Sequence, residues 1–203
     1  MTVMARGDWN TNAEMLVDVA RLGYLPAEDD ESKLVLDPTY GLGRWWTLYR
    51  PKNLAYSDAN PARSHMGDAA DFRQLPWPNC TFDTVAFDPP YKLNGTPTED
   101  GMDWAYGVDE RASWQSRHQL IRDGITECLR VTKRRGYLLV KCQDQVCSGQ
   151  VRWQTIEFTN HAGEHGAKLV DSFLFPGYRE QPPGRRQVHA RRNYSTLLVF
   201  RKG

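Results

Sequence analysis

Residues 82–91 read Phe82-Asp83-Thr84-Val85-Ala86-Phe87-Asp88-Pro89-Pro90-Tyr91. The first six are mostly apolar or β-branched, which predicts a short buried β-strand. The last four predict a rigid corner, because a residue that precedes proline is kept out of the helical region and proline has no N–H. The Asp88 carboxylate and the Pro89 carbonyl can then face one spot, next to the flat ring of Tyr91. The stretch predicts a strand that ends at a polar site.

Strands and helices alternate on both sides of this stretch. The other predicted strands cover residues 34–37, 53–57, 136–141, 168–174 and 194–200, and the predicted helices cover 12–22, 112–132 and about 150–161. Such alternation is typical of an α/β fold, with a mostly parallel sheet and helices on both faces. The chain has 203 residues and no internal repeat, so we expect one domain over residues 1–203.

Composition excludes several classes of protein. Hydrophobic residues make up 40% and charged residues 25%, a globular balance. No apolar run approaches the ~20 residues of a membrane span, and the N-terminus lacks the apolar core of a signal peptide, so we expect a cytoplasmic protein. The four cysteines, none in a Cys-x-x-Cys pair, are Cys80, Cys128, Cys142 and Cys147. We interpret them as free thiols, and we expect no metal site at His161 and His165, which lie one helical turn apart and for which a solvated helix face is the more common role.

Four aspartates follow predicted strands or open the turns after them: Asp37, Asp58, Asp68 and Asp88. In open α/β sheets, ligands bind beyond the carboxyl ends of the strands. The sequence therefore predicts one sheet edge with four acidic residues. For each aspartate alone, a role in capping a loop is the more common one.

The corner at Asp88 suits one kind of chemistry. An exocyclic amino group on a base is a poor nucleophile, because its lone pair is delocalised into the ring. Acceptors on its two N–H bonds free that lone pair, and Asp88 can take the proton that becomes acidic once the nitrogen is alkylated. A base that has left its stack can lie against Tyr91. The alternative is a proline turn with an incidental tyrosine.

Residues 88–91, and the order of the segments around them, resemble the DPPY amino-methyltransferases, a branch of the class I S-adenosylmethionine-dependent methyltransferases. The resemblance covers nearly the whole chain, and residues 34–43 look like the family's cofactor loop. It implies a Rossmann-like fold with a seven-stranded, mostly parallel sheet and an antiparallel last strand. It also implies S-adenosylmethionine as cofactor. The catalytic residues implied are Asp88, Pro89, Pro90 and Tyr91; the cofactor-binding residues implied are Asp37, Pro38, Gly41, Gly43, Asp58, Asp68, Ala69, Asp88 and Thr11.

Within that resemblance, Asp58 matches the acidic residue for the ribose hydroxyls, and Asp68 matches the acceptor for the cofactor's adenine. Residues 9–12 look like the segment that closes over the methionine carboxylate. The chain departs from the family in its glycine loop, where Gly-Leu-Gly-Arg at 41–44 replaces the frequent Gly-Ser-Gly-Thr and two tryptophans follow.

Target recognition must come from residues after Tyr91, and two loops are candidates, 92–118 and 176–192. The first carries aromatic residues that either stack on a base or pack on the sheet, namely Trp104, Tyr106 and Trp114. The second carries a basic cluster: Arg185, Arg186, His189, Arg191 and Arg192. Net charge is only +1, so on charge alone a solvated loop is favoured; the resemblance turns the balance toward phosphate contact.

The resemblance implies a DNA methyltransferase acting on adenine N6, with cytosine N4 next. The compact chain suits a stand-alone enzyme of a phage or mobile element, or a restriction-modification enzyme. The alternatives are an RNA base methyltransferase, a protein glutamine methyltransferase, which usually has Asn in place of Asp88, and a non-catalytic binding subunit. The sequence leaves open a homodimer or a partner that supplies specificity, and it predicts no membrane partner.

Overall fold

The computed structural model describes residues 8–65, 67–93, 113–177, 188–190 and 192–203. In chain order, its helices and strands are α1 (Asn12–Arg21), β1 (Val35–Asp37), β2 (Leu54–Tyr56), β3 (Phe82–Phe87), α2 (Trp114–Val131), β4 (Thr132–Cys142), β5 (Gln145–Cys147), β6 (Gln150–Arg152), α3 (Gln154–Glu164), β7 (Ala167–Pro176) and β8 (Tyr194–Lys202). Short 3₁₀ turns lie at Arg44–Trp46 and Pro61–Arg63.

The main sheet has the order β2-β1-β3-β4-β8-β7. Strands β2, β1, β3 and β4 pair in parallel, whereas β8 runs antiparallel to both β4 and β7. This confirms the predicted Rossmann-like α/β fold, with six strands rather than seven in this sheet among the described residues. The parallel strands bring their carboxyl ends to one edge, which is where such sheets bind ligands.

Residues 150–152 are a correction to the sequence-based prediction, which assigned them to a helix. They form β6, paired with β5 in a separate two-stranded sheet, and the helix begins only at Gln154. The reason is a tight turn at Ser148 and Gly149, whose φ angles of 52° and 74° suit a two-residue hairpin.

Apolar side chains fill both faces of the main sheet. On one face, helices α2 and α3 pack residues such as Ile121, Ile125 and Phe158 against the strands. On the other, α1 and the 3₁₀ turn pack Met15 and Trp46. No helix in the described part of the chain combines the length and the apolar character needed to cross a bilayer.

Candidate functional site

The corner after β3 forms as the sequence predicts. Pro89 and Pro90 are buried, and the Tyr91 N–H donates to the Pro89 carbonyl over 2.7 Å, which leaves that oxygen one further lone pair. The Asp88 N–H donates to Thr39 Oγ1 over 2.9 Å, so the end of β1 holds the end of β3. The Asp88 carboxylate has the Lys141 ammonium and the Trp45 indole N–H as its polar neighbours.

Lys141, near the carboxyl end of β4, supplies the electrostatic surroundings of Asp88. Its side chain is buried, and its ammonium donates to Asn12 Oδ1 and lies 4.9 Å from the ring centre of Phe175 and 5.7 Å from that of Trp45. Burial raises the pKa of Asp88 to about 6, while the charge of Lys141 and the nearby indole N–H of Trp45 act to lower it. Trp45 Nε1 is itself buried without a hydrogen bond to any described residue.

Asp37, at the end of β1, is a buried carboxylate with a different environment. Its Oδ1 accepts from the Thr39 N–H over 2.9 Å, and its Oδ2 accepts from the indole N–H of Trp46 over 2.7 Å. Burial is the main cause that raises the pKa of Asp37 to about 7. Both oxygens are used within the protein, so Asp37 organises the turn that leads to the site.

The glycine turn lies against the end of β2. Asp58 Oδ2 accepts from the Gly41 N–H and Oδ1 from the Asn60 N–H, each over 2.8 Å. Gly43 has φ +67°, and a Cβ there would lie 2.5 Å from the Tyr40 hydroxyl. Gly41 also has a positive φ, +56°, so the backbone disfavours a side chain at both glycines, and at Gly43 a Cβ would in addition crowd the Tyr40 ring, whereas a Cβ on Gly41 would meet no described atom closer than 3.9 Å. Pro38 is buried within the same turn.

A cavity of about 300 Å³ lies after β2, and one of its lining residues, Ser57, contacts the chain before the glycine turn, because its carbonyl accepts from the Tyr40 N–H over 3.1 Å. It is lined by Ser57, Asp68, Ala69, Asp71 and Trp77, among others. The Asp68 side chain is exposed to it, and the Ser57 hydroxyl is buried with no hydrogen-bond partner among the described residues. The structure thus places the predicted residues Asp68 and Ala69 on the wall of one cavity with Ser57, the first residue after β2.

Thr11 caps α1, since its Oγ1 accepts from the Glu14 N–H over 3.2 Å. The neighbouring Asn12 is the residue that contacts Lys141. The start of α1 therefore contacts the sheet edge near Asp88 through Asn12, a residue that the sequence-based site did not include.

Two arginine–tryptophan pairs stand near the corner. The guanidinium carbon of Arg152 lies 3.8 Å from the ring centre of Trp114, and that of Arg192 lies 4.4 Å from that of Trp153. Arg152 pairs across the β5–β6 hairpin with Gln145, whose side chain bonds to the Tyr91 carbonyl. Of the predicted basic cluster, Arg192 and His189 are placed, while Arg185, Arg186 and Arg191, like Trp104 and Tyr106, lie outside the described residues.

Sequence reasoning missed Lys141, Thr39 and Arg152. A lysine that ends a buried strand, beside another strand that ends in the proline corner, was the available signal for Lys141. Arg152 was missed because its segment was assigned to a helix. Thr39 acts through a turn whose path the sequence pattern does not reveal.

No family model matches the sequence, and no curated protein matches it either. Solved structures do match. A SAM-dependent methyltransferase from Thermotoga maritima has a TM-score of 0.52 at 12% identity over 95% of this chain and 88% of that one. TrmN from Thermus thermophilus has a TM-score of 0.55 at 16% identity over 94% of this chain and 48% of its own. The fold is that of the class I methyltransferases.

The same fold also matches the cyclase SpnF, with a TM-score of 0.53 at 13% identity over 94% of this chain and 80% of that one. A shared fold hosts different chemistries, so the reaction has to be argued from the site.

Proposed function

We propose that this protein is an S-adenosylmethionine-dependent methyltransferase that methylates the exocyclic amino group of a nucleic-acid base, with adenine N6 in DNA the first candidate and cytosine N4 the second. One observation carries the proposal. The Asp88 carboxylate stands at the sheet edge of a methyltransferase fold, where burial raises its pKa to about 6 and where the Lys141 ammonium and the Trp45 indole N–H are its polar neighbours. An acceptor in that state is available to a substrate.

The residues around the glycine turn fit the cofactor. The cavity at Ser57 and Asp68 offers an unpartnered buried hydroxyl and an exposed carboxylate, which suit the polar edge of an adenine and a ribose. In this proposal Asp58 contacts the ribose hydroxyls. The residues that contact the methionine part are Thr11, Pro38, Gly41 and Gly43. When bound, the cofactor supplies an electrophilic methyl group on a sulfonium.

The chain's own residues prepare the amine and remove its proton. The Asp88 carboxylate and the second lone pair of the Pro89 carbonyl accept hydrogen bonds from the two N–H groups of the substrate amine. As the nitrogen gains a bond to carbon it must lose one proton, and ionised Asp88 accepts it. Lys141 and Trp45 favour the charged form of Asp88 against its burial. Tyr91 holds the ring of the base.

The arginine–tryptophan pairs support a nucleic-acid substrate. In Arg152 and Arg192, the Nε atom is buried and has no hydrogen-bond partner among the described residues. A guanidinium stacked on an indole keeps its plane fixed and can offer its N–H edge to a phosphate. We include Arg185, Arg186, His189 and Arg191 in this proposed phosphate-contacting surface.

Methyl transfer from labelled cofactor to DNA, RNA and protein tests the reaction, followed by digestion and mass spectrometry of the products. We expect label in 6-methyladenine, or else in 4-methylcytosine, from DNA. Label in the same nucleosides from RNA would move the substrate class, and label in a guanine product or in protein would contradict the proposed target.

Salt dependence tests the phosphate contacts. Replacing Arg152 and Arg192 with alanine should weaken nucleic-acid binding and reduce the slope of log K against log salt by about one for each phosphate that the protein no longer neutralises. Lys52→Ala is the control, because this exposed lysine precedes β2 at the opposite end of the strand. If Lys52→Ala changed the salt slope as much as the double arginine variant, the arginine–tryptophan pairs would not be part of the nucleic-acid-binding surface.

A further inference from the structure

We propose that His118 is a positioning residue for the catalytic corner: as a neutral imidazole it fixes Gln154, which together with Gln145 holds the backbone carbonyl of Tyr91. The catalytic meaning of this arrangement rests on the function proposed above. Its geometry does not.

Two glutamine side chains hold the chain just after the corner. Gln145 Nε2 donates to the Tyr91 carbonyl over 2.7 Å, and Gln154 Nε2 donates to the same oxygen over 2.8 Å. Gln145 Oε1 also accepts from the Leu93 N–H over 3.1 Å, and Gln154 Oε1 accepts from the Gln143 N–H over 3.0 Å. In both glutamines, the amide nitrogen and the amide oxygen each have a partner, so the orientation of the amide is fixed. Both amide nitrogens donate to the Tyr91 carbonyl.

These contacts decide the protonation of His118. Gln154 Nε2 is a donor, because it bonds to a carbonyl oxygen, so His118 Nε2 at 3.4 Å has to be the acceptor. The ring hydrogen is then on Nδ1, which contacts Glu157 Oε2 at 2.5 Å. The other oxygen of Glu157 accepts from Arg122 over 2.7 Å. The result is a connected chain of groups from α2 and α3 to the corner.

A second proton on His118 breaks this chain. It would sit on Nε2 and face the –NH₂ group of Gln154, so that two donors oppose each other, and the amide could escape only by giving up the Tyr91 carbonyl. The ring is buried, and burial lowers the pKa of His118 while Glu157 acts to raise it. Arg122 and Arg152 lower it further, and the remaining neighbours are the rings of Trp114 and Phe158.

Loss of the clamp frees the Tyr91 carbonyl and the Leu93 N–H, which lie next to the acceptors that hold the substrate amine. A misplacement of about 1 Å at a reacting group can cost on the order of a hundredfold in rate. His118 touches neither substrate nor cofactor in this scheme, so its effect should fall on turnover rather than on cofactor affinity.

Hydrogen exchange over residues 91–93 tests the clamp without any substrate. In His118→Asn, the amide can still donate to Glu157 but has no atom at the position of Nε2; we expect about a tenfold loss of protection confined to this segment. In Gln154→Glu, the donor to Tyr91 is removed and the loss should be similar. His118→Gln, which can place an acceptor near Nε2, should restore part of the protection.

The pH dependence separates His118 from Asp88, which also titrates in the acid range. In an Asp88→Asn background, protection of residues 91–93, corrected for the intrinsic exchange rate, should still fall at acid pH; with His118→Asn added, that fall should disappear. With a methylated base as readout, His118→Asn should lower kcat by about tenfold or more and leave the cofactor Kd unchanged.

Unchanged protection at 91–93 in His118→Asn and Gln154→Glu would overturn the clamp, as would a loss spread evenly over the protein. ¹⁵N NMR that places the ring hydrogen on Nε2 would also overturn it. A clamp that behaves as expected in a protein that methylates no base would contradict the proposed function alone.

Discussion

Asp37 and Asp88 end neighbouring parallel strands, one residue type at two equivalent places, and the protein treats them differently. Both oxygens of Asp37 accept hydrogen bonds within the protein, one from the Thr39 N–H and one from the Trp46 indole N–H. Asp88 is half-buried and has the Trp45 indole N–H and the Lys141 charge beside it, and burial raises the pKa of both carboxyls. A carboxylate has about four acceptor positions, so Asp88 keeps positions that a substrate can fill.

This difference separates the aspartates at the sheet edge into structural carboxylates and carboxylates that are available for chemistry. Asp37, whose two oxygens accept from a backbone N–H and from a buried indole N–H, has a structural role, although its position in the sequence matches a cofactor loop. A carboxylate left open, next to a buried cation, is available for chemistry. The predictions below test that division, from the largest expected effect to the smallest.

Asp88→Asn should lower methyl transfer by about a hundredfold to ten-thousandfold, because the amide cannot accept the proton that leaves the amine. Cofactor affinity should change little, and the unfolding midpoint should not fall, because the raised pKa means that folding disfavours the ionised form of Asp88 at neutral pH. The control is Asp83→Asn, in the same strand, where the carboxylate pairs with Lys33 and Lys133. Near-normal turnover in Asp88→Asn would refute the mechanism.

Asp37→Asn should act on stability instead. Both oxygens of Asp37 face donors, so the amide nitrogen of asparagine must oppose one of them, at a cost of about 1–3 kcal/mol in the free energy of unfolding. Denaturant titration measures this loss. Under conditions where the variant is folded, its turnover should stay within about threefold of the parent protein. A collapse of kcat with unchanged stability would place Asp37 with Asp88 instead.

The sequence was sufficient for the architecture and for the corner. Strand β3 has the predicted bounds Phe82–Phe87, because its residues are apolar or β-branched except for Asp83, and because Asp88 and two prolines follow it. The sequence also indicated that acidic residues would follow strands. Those properties follow from local pattern and from the geometry of parallel sheets.

The partners of each carboxylate could not be predicted. Asp37 and Trp46 are nine residues apart, and they meet only because the glycine turn folds back onto α1. Lys141 and Asp88 meet only because β4 is placed beside β3. The predicted start of the helix at about residue 150 was wrong. Polar and aromatic residues occur both in short hairpins and at helix ends, so the residues at 150–153 did not distinguish the two.

Lys141→Met should shift the pH dependence of turnover. Asp88 must be ionised to accept a proton, so activity should rise with pH through a pKa of about 6. Lys141 lowers that pKa; its removal should move the acid limb upward by about one pH unit and cost about fivefold in rate at pH 6. Lys133→Met, in the same strand but paired with Asp83, should leave the limb in place. An identical limb in Lys141→Met would show that the lysine does not act on Asp88.

Ser57→Ala carries the same comparison to the cofactor cavity, with effects of opposite sign on two measurements. The Ser57 hydroxyl is buried and unpartnered among the described residues, so its removal should leave the ligand-free protein as stable or slightly more stable. If the cofactor fills that valence, the variant should bind it about three- to tenfold more weakly. Thr196→Val removes a second unpartnered hydroxyl, which is not among the residues lining the cavity, and should leave cofactor affinity unchanged. Titration calorimetry with the cofactor and denaturant unfolding without it separate the two effects. Equal affinity in Ser57→Ala and the parent protein would mean that the cofactor does not bond to the Ser57 hydroxyl. A hydroxyl without a partner would then not indicate a ligand at this position.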